Sequence, residues 1–100
     1  MSSLTDSSPP SAPANLLATA VSSNQVNLLW SGSADNVGVV GYPVERCRGV
    51  NCTDFAPLAT ATGTSYLDIG LDGSTAYRYR VRAVDAAGNS SAASNLAEAT

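Results

Sequence analysis

The 100-residue chain has no lysine and no histidine, and only one methionine, one tryptophan and one phenylalanine. Without histidine there is no Ser-His or Cys-His nucleophile and no imidazole to bind a metal. Without lysine there is neither a Schiff base nor a P-loop. All five positive charges are arginines (Arg46, Arg48, Arg78, Arg80 and Arg82), set against eight acids for a net charge of −3. That balance argues against nucleic acid or an anionic membrane as a partner. No apolar run approaches the roughly 18 residues of a membrane span. A carboxylate pair could still hydrolyse a glycoside, but the acids are scattered over expected loops and strand ends. So short a chain also leaves little room for a sugar cleft. No catalytic residue, cofactor or metal ligand is expected.

What is present is apolar and alternating. Hydrophobic residues make up 44% of the chain, enough for one core in one domain. They alternate over short runs between clusters of Gly, Pro, Asn, Asp and Ser, which signals strands rather than helices. Strands are expected over residues 15–20, 26–30, 39–47, 55–61, 64–69, 75–85 and 93–99. The sixth, TAYRYRVRAVD, is the longest and most regular. Seven strands with turns every 8–12 residues predict an all-β antiparallel sandwich. SSLTDSSPPSAPA, after Met1, has neither a basic n-region nor a hydrophobic h-region. Residues 1–11 are therefore expected to be a flexible Ser/Pro-rich linker and 12–100 a domain, one module of a longer polypeptide.

PSAPANLLATAVSSNQVNLLW, DNVGVVGYPVER and SYLDIGLDGSTAYRYRVRAVDAAGNSS, in that order, resemble a fibronectin type III domain. The subtype resembles the accessory modules of secreted bacterial glycoside hydrolases such as chitinases and cellulases. The resemblance covers residues 10–100 and implies an immunoglobulin-like sandwich with sheets A-B-E and C′-C-F-G. Strand parity agrees with it. Trp30 is in phase with Val26 and Leu28, Tyr42 with Val44, and Tyr77 and Tyr79 with Val81 and Ala83, all facing the core. Buried alternation explains Trp30, Tyr42, Tyr77 and Tyr79 without a sugar-stacking platform. Leu71, Thr75 and Tyr77 resemble the tyrosine corner, although Gly73 stands where the family often has proline. Pro43 departs from a family position that usually donates to the ladder, so either its nitrogen faces no partner or the strand bulges there.

On that frame Cys47 and Cys52 flank the hairpin connection RGVN, within reach of a disulfide. Two thiols without histidine cannot complete a zinc site, and C-x₄-C is not the C-x-x-C of a redox helix. A structural disulfide in an oxidising compartment is expected; free thiols in a reducing compartment are the alternative.

Parity also assigns the outer faces. Arg78, Arg80 and Arg82 point outward beside Glu45, as either an anionic-ligand face or an ordinary mixed-charge surface. Leu17, Leu29, Leu67 and Ile69 point outward from the other sheet, as either a docking face or scattered surface leucines. DNVG and DAAGN supply Asx and glycine turn chemistry. There is no RGD motif, the nearest string being RGV. Asn51-Cys52-Thr53 and Asn89-Ser90-Ser91 fit the N-glycosylation pattern, which matters only in a eukaryotic host. The expected function is a spacer orienting catalytic and carbohydrate-binding modules of the same secreted polypeptide. The alternative is a module that binds polysaccharide or a neighbouring domain. The isolated domain is expected to be a monomer with at most weak self-association.

Overall fold

The computed structural model describes residues 10–32 and 39–100. Most of the expected linker and the DNVG turn lie outside the described residues. Among the described residues eight strands form: β1 (Ala14–Ser22), β2 (Gln25–Ser31), β3 (Val39–Arg48), β4 (Ala56–Ala61), β5 (Ser65–Asp68), β6 (Tyr77–Val81), β7 (Val84–Asp85) and β8 (Ala97–Ala99). They build two antiparallel sheets, one ordered β1-β2-β5 and the other β4-β3-β6-β8, with β7 also paired to β3.

Alternation does the sorting. In β6 the residues Tyr77, Tyr79 and Val81 are buried while Arg78 and Arg80 between them are not. In β2 the buried set is Val26, Leu28 and Trp30. These side chains, with Leu16, Tyr42, Val44, Ala61, Leu71, Ala83 and Ala99, form one core between the sheets. Burying a large apolar side chain contributes roughly 1.5–3 kcal/mol, so this shared core is the main stabilising element. Trp30 and Tyr42 meet edge to face with ring centroids 5.7 Å apart, a favoured aromatic geometry. The Tyr77 hydroxyl accepts the Asp72 N–H at 3.0 Å, forming a tyrosine corner despite Gly73.

Two expected strands differ. The regular run over 75–85 divides into β6 and β7, and Pro43 supplies a reason. The Arg82 N–H donates to the Pro43 carbonyl at 3.0 Å. An unbroken antiparallel ladder would return a second bond from residue 43, and proline has no N–H to give. On its other side β3 bulges against β4 between Val44 and Glu45. The last strand, expected over 93–99, is regular only at Ala97–Ala99. Before it, side chains replace the ladder. Val81 N–H donates to Ser94 Oγ at 3.0 Å and Ala83 N–H to Ser91 Oγ at 2.8 Å. In return, Ser94 and Ser91 donate their own N–H groups to the Val81 and Ala83 carbonyls. A hydroxyl accepts as a carbonyl would, so a side chain makes one half of each exchange and backbone the other.

The register fixes where the chain enters and leaves. Ala14 pairs with Ser31 at one end of the sandwich. Ala99 pairs with Tyr77 at the other, where Leu71 N–H bonds the Asn24 carbonyl in the β1–β2 turn. The body between these poles is elongated, 53 × 22 × 19 Å.

Candidate interaction faces

Each outer face follows from the same parity that builds the core. On β3 and β6, Glu45 lies opposite Arg80. Arg80 pairs with Glu45 Oε1 and stacks its guanidinium 4.3 Å from the centre of the Phe55 ring. Arg82 reaches the same carboxylate at 3.4 Å and donates to the Ser91 carbonyl at 3.2 Å. Arg78 donates to the Cys52 carbonyl at 2.8 Å and sits 3.6 Å from Glu98, its cross-strand neighbour on β8. The three arginines are thus matched internally by two acids, two carbonyls and a ring. An anionic ligand here would have to compete with every one of these contacts.

The same face carries the disulfide. Cys47 and Cys52 are joined, with Cα atoms 6.0 Å apart. β3 runs one residue past Cys47, to Arg48. The tight reversal that follows needs left-handed backbone at Gly49 (φ 114°) and Asn51 (φ 58°), conformations that glycine and asparagine adopt most readily. Cys47, Cys52 and Asp54 cluster closely enough to resemble a metal-ligand set. Each sulfur is bonded to the other, which leaves Asp54 as the one donor of this cluster.

On the opposite face Leu17 is 57% exposed, Leu29 and Leu67 48% each, and Ile69 61%. Leu17 and Leu29 are direct cross-strand partners; Leu67 pairs with Asn27, one step diagonal from Leu29. The result is an oblique apolar line crossing a surface that also holds Thr19, Asn27 and Ser65.

A polar bridge between the sheets was not singled out in the sequence. Asp68 on β5 is buried, and its carboxylate receives Arg46 Nη1 from β3 at 2.8 and 3.0 Å. Tyr79 Oη, from β6, donates to the same carboxylate at 2.8 Å. Arg46 also lies over the Tyr77 ring, 5.5 Å from its centre. Burial, then the bond to Asp68, holds the Tyr79 phenol protonated well above the ordinary tyrosine range. Burial alone would lower the Arg46 pKa, but the hydrogen bonds and charge of Asp68 outweigh it, and the net shift is upward. The signal was present in the parity: Arg46 is in phase with Tyr42 and Val44, and Asp68 falls between outward Leu67 and Ile69. Opposite charges assigned to facing inner surfaces predict a bridge. Chemically this is a clamp, with no cavity beside it or elsewhere among the described residues.

Two antiparallel sheets packed face to face, with a tyrosine corner and β1-β2-β5 against β4-β3-β6-β8, define an immunoglobulin-like sandwich module. The sequence profile of the fibronectin type III domain matches residues 11–100. The chain belongs to that family. It is 45% identical to an alpha-amylase of Niallia circulans over 95% of this chain and 7% of the relative. It is 46% identical to chitinase A1 of the same organism, over 90% of this chain and 12% of the relative. Further chitinases and an exoglucanase match over similar spans. Among solved structures, a Fn3-like protein from Clostridium thermocellum superposes with a TM-score of 0.77 at 32% identity, covering 91% of this chain and 92% of that one. The chain spans about a tenth of the length of the curated relatives it matches.

Proposed function

We propose that this domain is a non-catalytic spacer in a secreted bacterial enzyme that degrades polysaccharide, holding catalytic and carbohydrate-binding modules at a set distance and orientation. The observation that carries the reading is the placement of Ala14 and Ala99 at opposite poles of an elongated body. Modules joined before and after it are thereby kept apart, and a rigid insert between flexible linkers sets their reach. The names of its relatives supply the context, and the small share of each relative that is matched suits an accessory segment. The Cys47–Cys52 disulfide suits an oxidising, extracellular location.

A second reading, in which an outer face binds polysaccharide or a neighbouring domain, is favoured by the exposure of Leu17, Leu29, Leu67 and Ile69. Native affinity electrophoresis of the domain through gels containing glycol chitin, starch, carboxymethyl cellulose or an acidic glycan separates the two. The spacer reading expects unchanged mobility in all four; retardation in any of them overturns it in favour of glycan binding.

A further inference from the structure

Among the described acids, Glu45, Asp68, Asp72 and Glu98 each meet an arginine, and Asp85 accepts N–H groups of its own turn. Asp54 is exposed and has no such partner among the described residues. It stands instead beside the two cysteines, where a carboxylate oxygen and both sulfurs lie within 4.8 Å of one another. Two thiols alone cannot complete a zinc site. The fold adds a third donor that the C-x₄-C spacing does not contain.

The spacing suits a metal ion once the sulfurs are not bonded to each other. Zinc sits about 2.3 Å from a thiolate sulfur and about 2.0–2.2 Å from a carboxylate oxygen. Tetrahedral angles then put the donors roughly 3.5–3.8 Å apart, within the 4.8 Å span they occupy. Backbone bonds other than the disulfide hold both cysteines, so side-chain rotation can set that spacing with the hairpin intact. Cys47 lies in the ladder opposite Arg78. Cys52 donates its N–H to the Gly49 carbonyl at 3.3 Å, and its own carbonyl accepts Arg78 Nη1 at 2.8 Å. Burial grades from buried Cys47 through half-buried Cys52 to exposed Asp54, which leaves a fourth position facing water. Two thiolates and a carboxylate outweigh a divalent ion by one negative charge, and the Arg78 guanidinium beside Cys52 offsets it.

The geometry points to a second state of this hairpin: with the disulfide not yet formed, or reduced, Cys47, Cys52 and Asp54 bind one zinc-class divalent cation. Water completes the coordination, as at three-ligand zinc sites. Thiolates favour such an ion over magnesium or calcium. Binding releases one proton from each thiol and forms two metal–sulfur bonds and one metal–oxygen bond. Oxidation by a disulfide of another molecule reverses it. The two sulfurs pass two electrons to that disulfide, which takes up two protons and becomes two thiols; the Cys47–Cys52 bond forms and the ion leaves. The hairpin is thus closed by metal in a reducing compartment and by a covalent bond in an oxidising one. The site is independent of whether the domain acts as a spacer.

Cobalt(II) titration of the domain, reduced with a phosphine and kept free of oxygen, tests this. Tetrahedral thiolate-bound cobalt absorbs by charge transfer in the near ultraviolet and by d–d bands in the visible. One equivalent is expected to saturate the reduced domain, zinc should bleach the bands by displacing cobalt, and the oxidised domain should give none. Asp54→Asn, at an exposed position away from the core, should weaken cobalt binding about tenfold or more, since even outer-sphere partners are worth about 10–100-fold. Circular dichroism checks that the reduced wild type and the variant keep the sandwich. A chain that reduction unfolds should refold with one equivalent of zinc. The proposal is overturned by absent bands at millimolar cobalt, by unchanged affinity in Asp54→Asn, by two chains per ion, or by a reduced, unfolded chain that zinc does not refold.

Discussion

Replacing Asp68 with alanine removes the hub of the inter-sheet clamp, and the structure sets the scale of the loss. Two groups lose their partner. The Tyr79 hydroxyl is fully buried, and a hydroxyl stranded there costs about 1–3 kcal/mol. Arg46 keeps about a third of its side chain in water, at 31% exposure, so it can turn outward and be rehydrated. Its share therefore falls below the roughly 3–5 kcal/mol of breaking a fully buried pair. A total of about 2–4 kcal/mol is expected, a large part of the stability of a domain this size. In urea, with a slope of about 1–1.5 kcal/mol/M for such a chain, the midpoint should fall by roughly 2 M at unchanged slope. Asp68→Asn, which keeps an acceptor for Tyr79 but not the charge for Arg46, should recover part of the loss. Pairing Asp68→Ala with Tyr79→Phe in a double-mutant cycle should show strong non-additivity, because both changes remove the same hydrogen bond. An Asp68→Ala midpoint within about 0.3 M of wild type would refute the reasoning, since the carboxylate would then contribute no more than the water it displaced.

The raised pKa of Tyr79 fixes a sign at high pH. Its proton is held more tightly in the folded chain than in the unfolded one, so stability is complete below the ordinary tyrosine value of about 10 and falls as pH rises beyond it. Urea midpoints measured from pH 9 to 11.5 should decline, and Tyr79→Phe should flatten part of that decline; an identical slope in the variant counts against it. Mass spectrometry without reductant should find the chain two hydrogens lighter than its sequence mass. Cys52→Ser should cost about 2 kcal/mol, the loop-entropy value for so short a ring, while leaving the domain folded. Unfolding of that variant at room temperature would mean that the bond does more than restrain the unfolded chain. Ser94→Ala should cost about 1–3 kcal/mol, because the Val81 N–H loses a buried acceptor. Hydrogen exchange at Val81 should accelerate in step, and an unaltered rate would indicate that water replaces the hydroxyl.

The sandwich was legible because period-two alternation is a strong signal wherever one face of a strand is buried. Val26, Leu28 and Trp30, or Tyr77, Tyr79 and Val81, could face only one way without exposing a whole row of large side chains. The strand ends were less legible. Nothing in the string TAYRYRVRAVD itself announces a break after Val81, because the proline responsible lies on the neighbouring strand, 38 positions earlier. Parity alone also gave the outward direction of Arg78, Arg80 and Arg82 but not their occupancy. That depends on residues 52–55 lying against the same face, where Phe55 and the Cys52 carbonyl meet the guanidiniums. The clamp of Arg46, Asp68 and Tyr79 obeys the same parity, but charged side chains ordinarily lie at the surface, and only the packing of β5 over β3 and β6 brings these three together.

The serines of the last segment have an evolutionary consequence. In an ordinary border strand the peptide groups do the fastening, so the amino acids there can drift with little effect. Here Ser91 and Ser94 hold the border through their hydroxyls, and Asn95 does so through its amide. In a library of all single substitutions these three small polar positions should tolerate change as poorly as the aromatic interior. Their neighbours Ala92 and Leu96, exposed to solvent, should accept nearly anything.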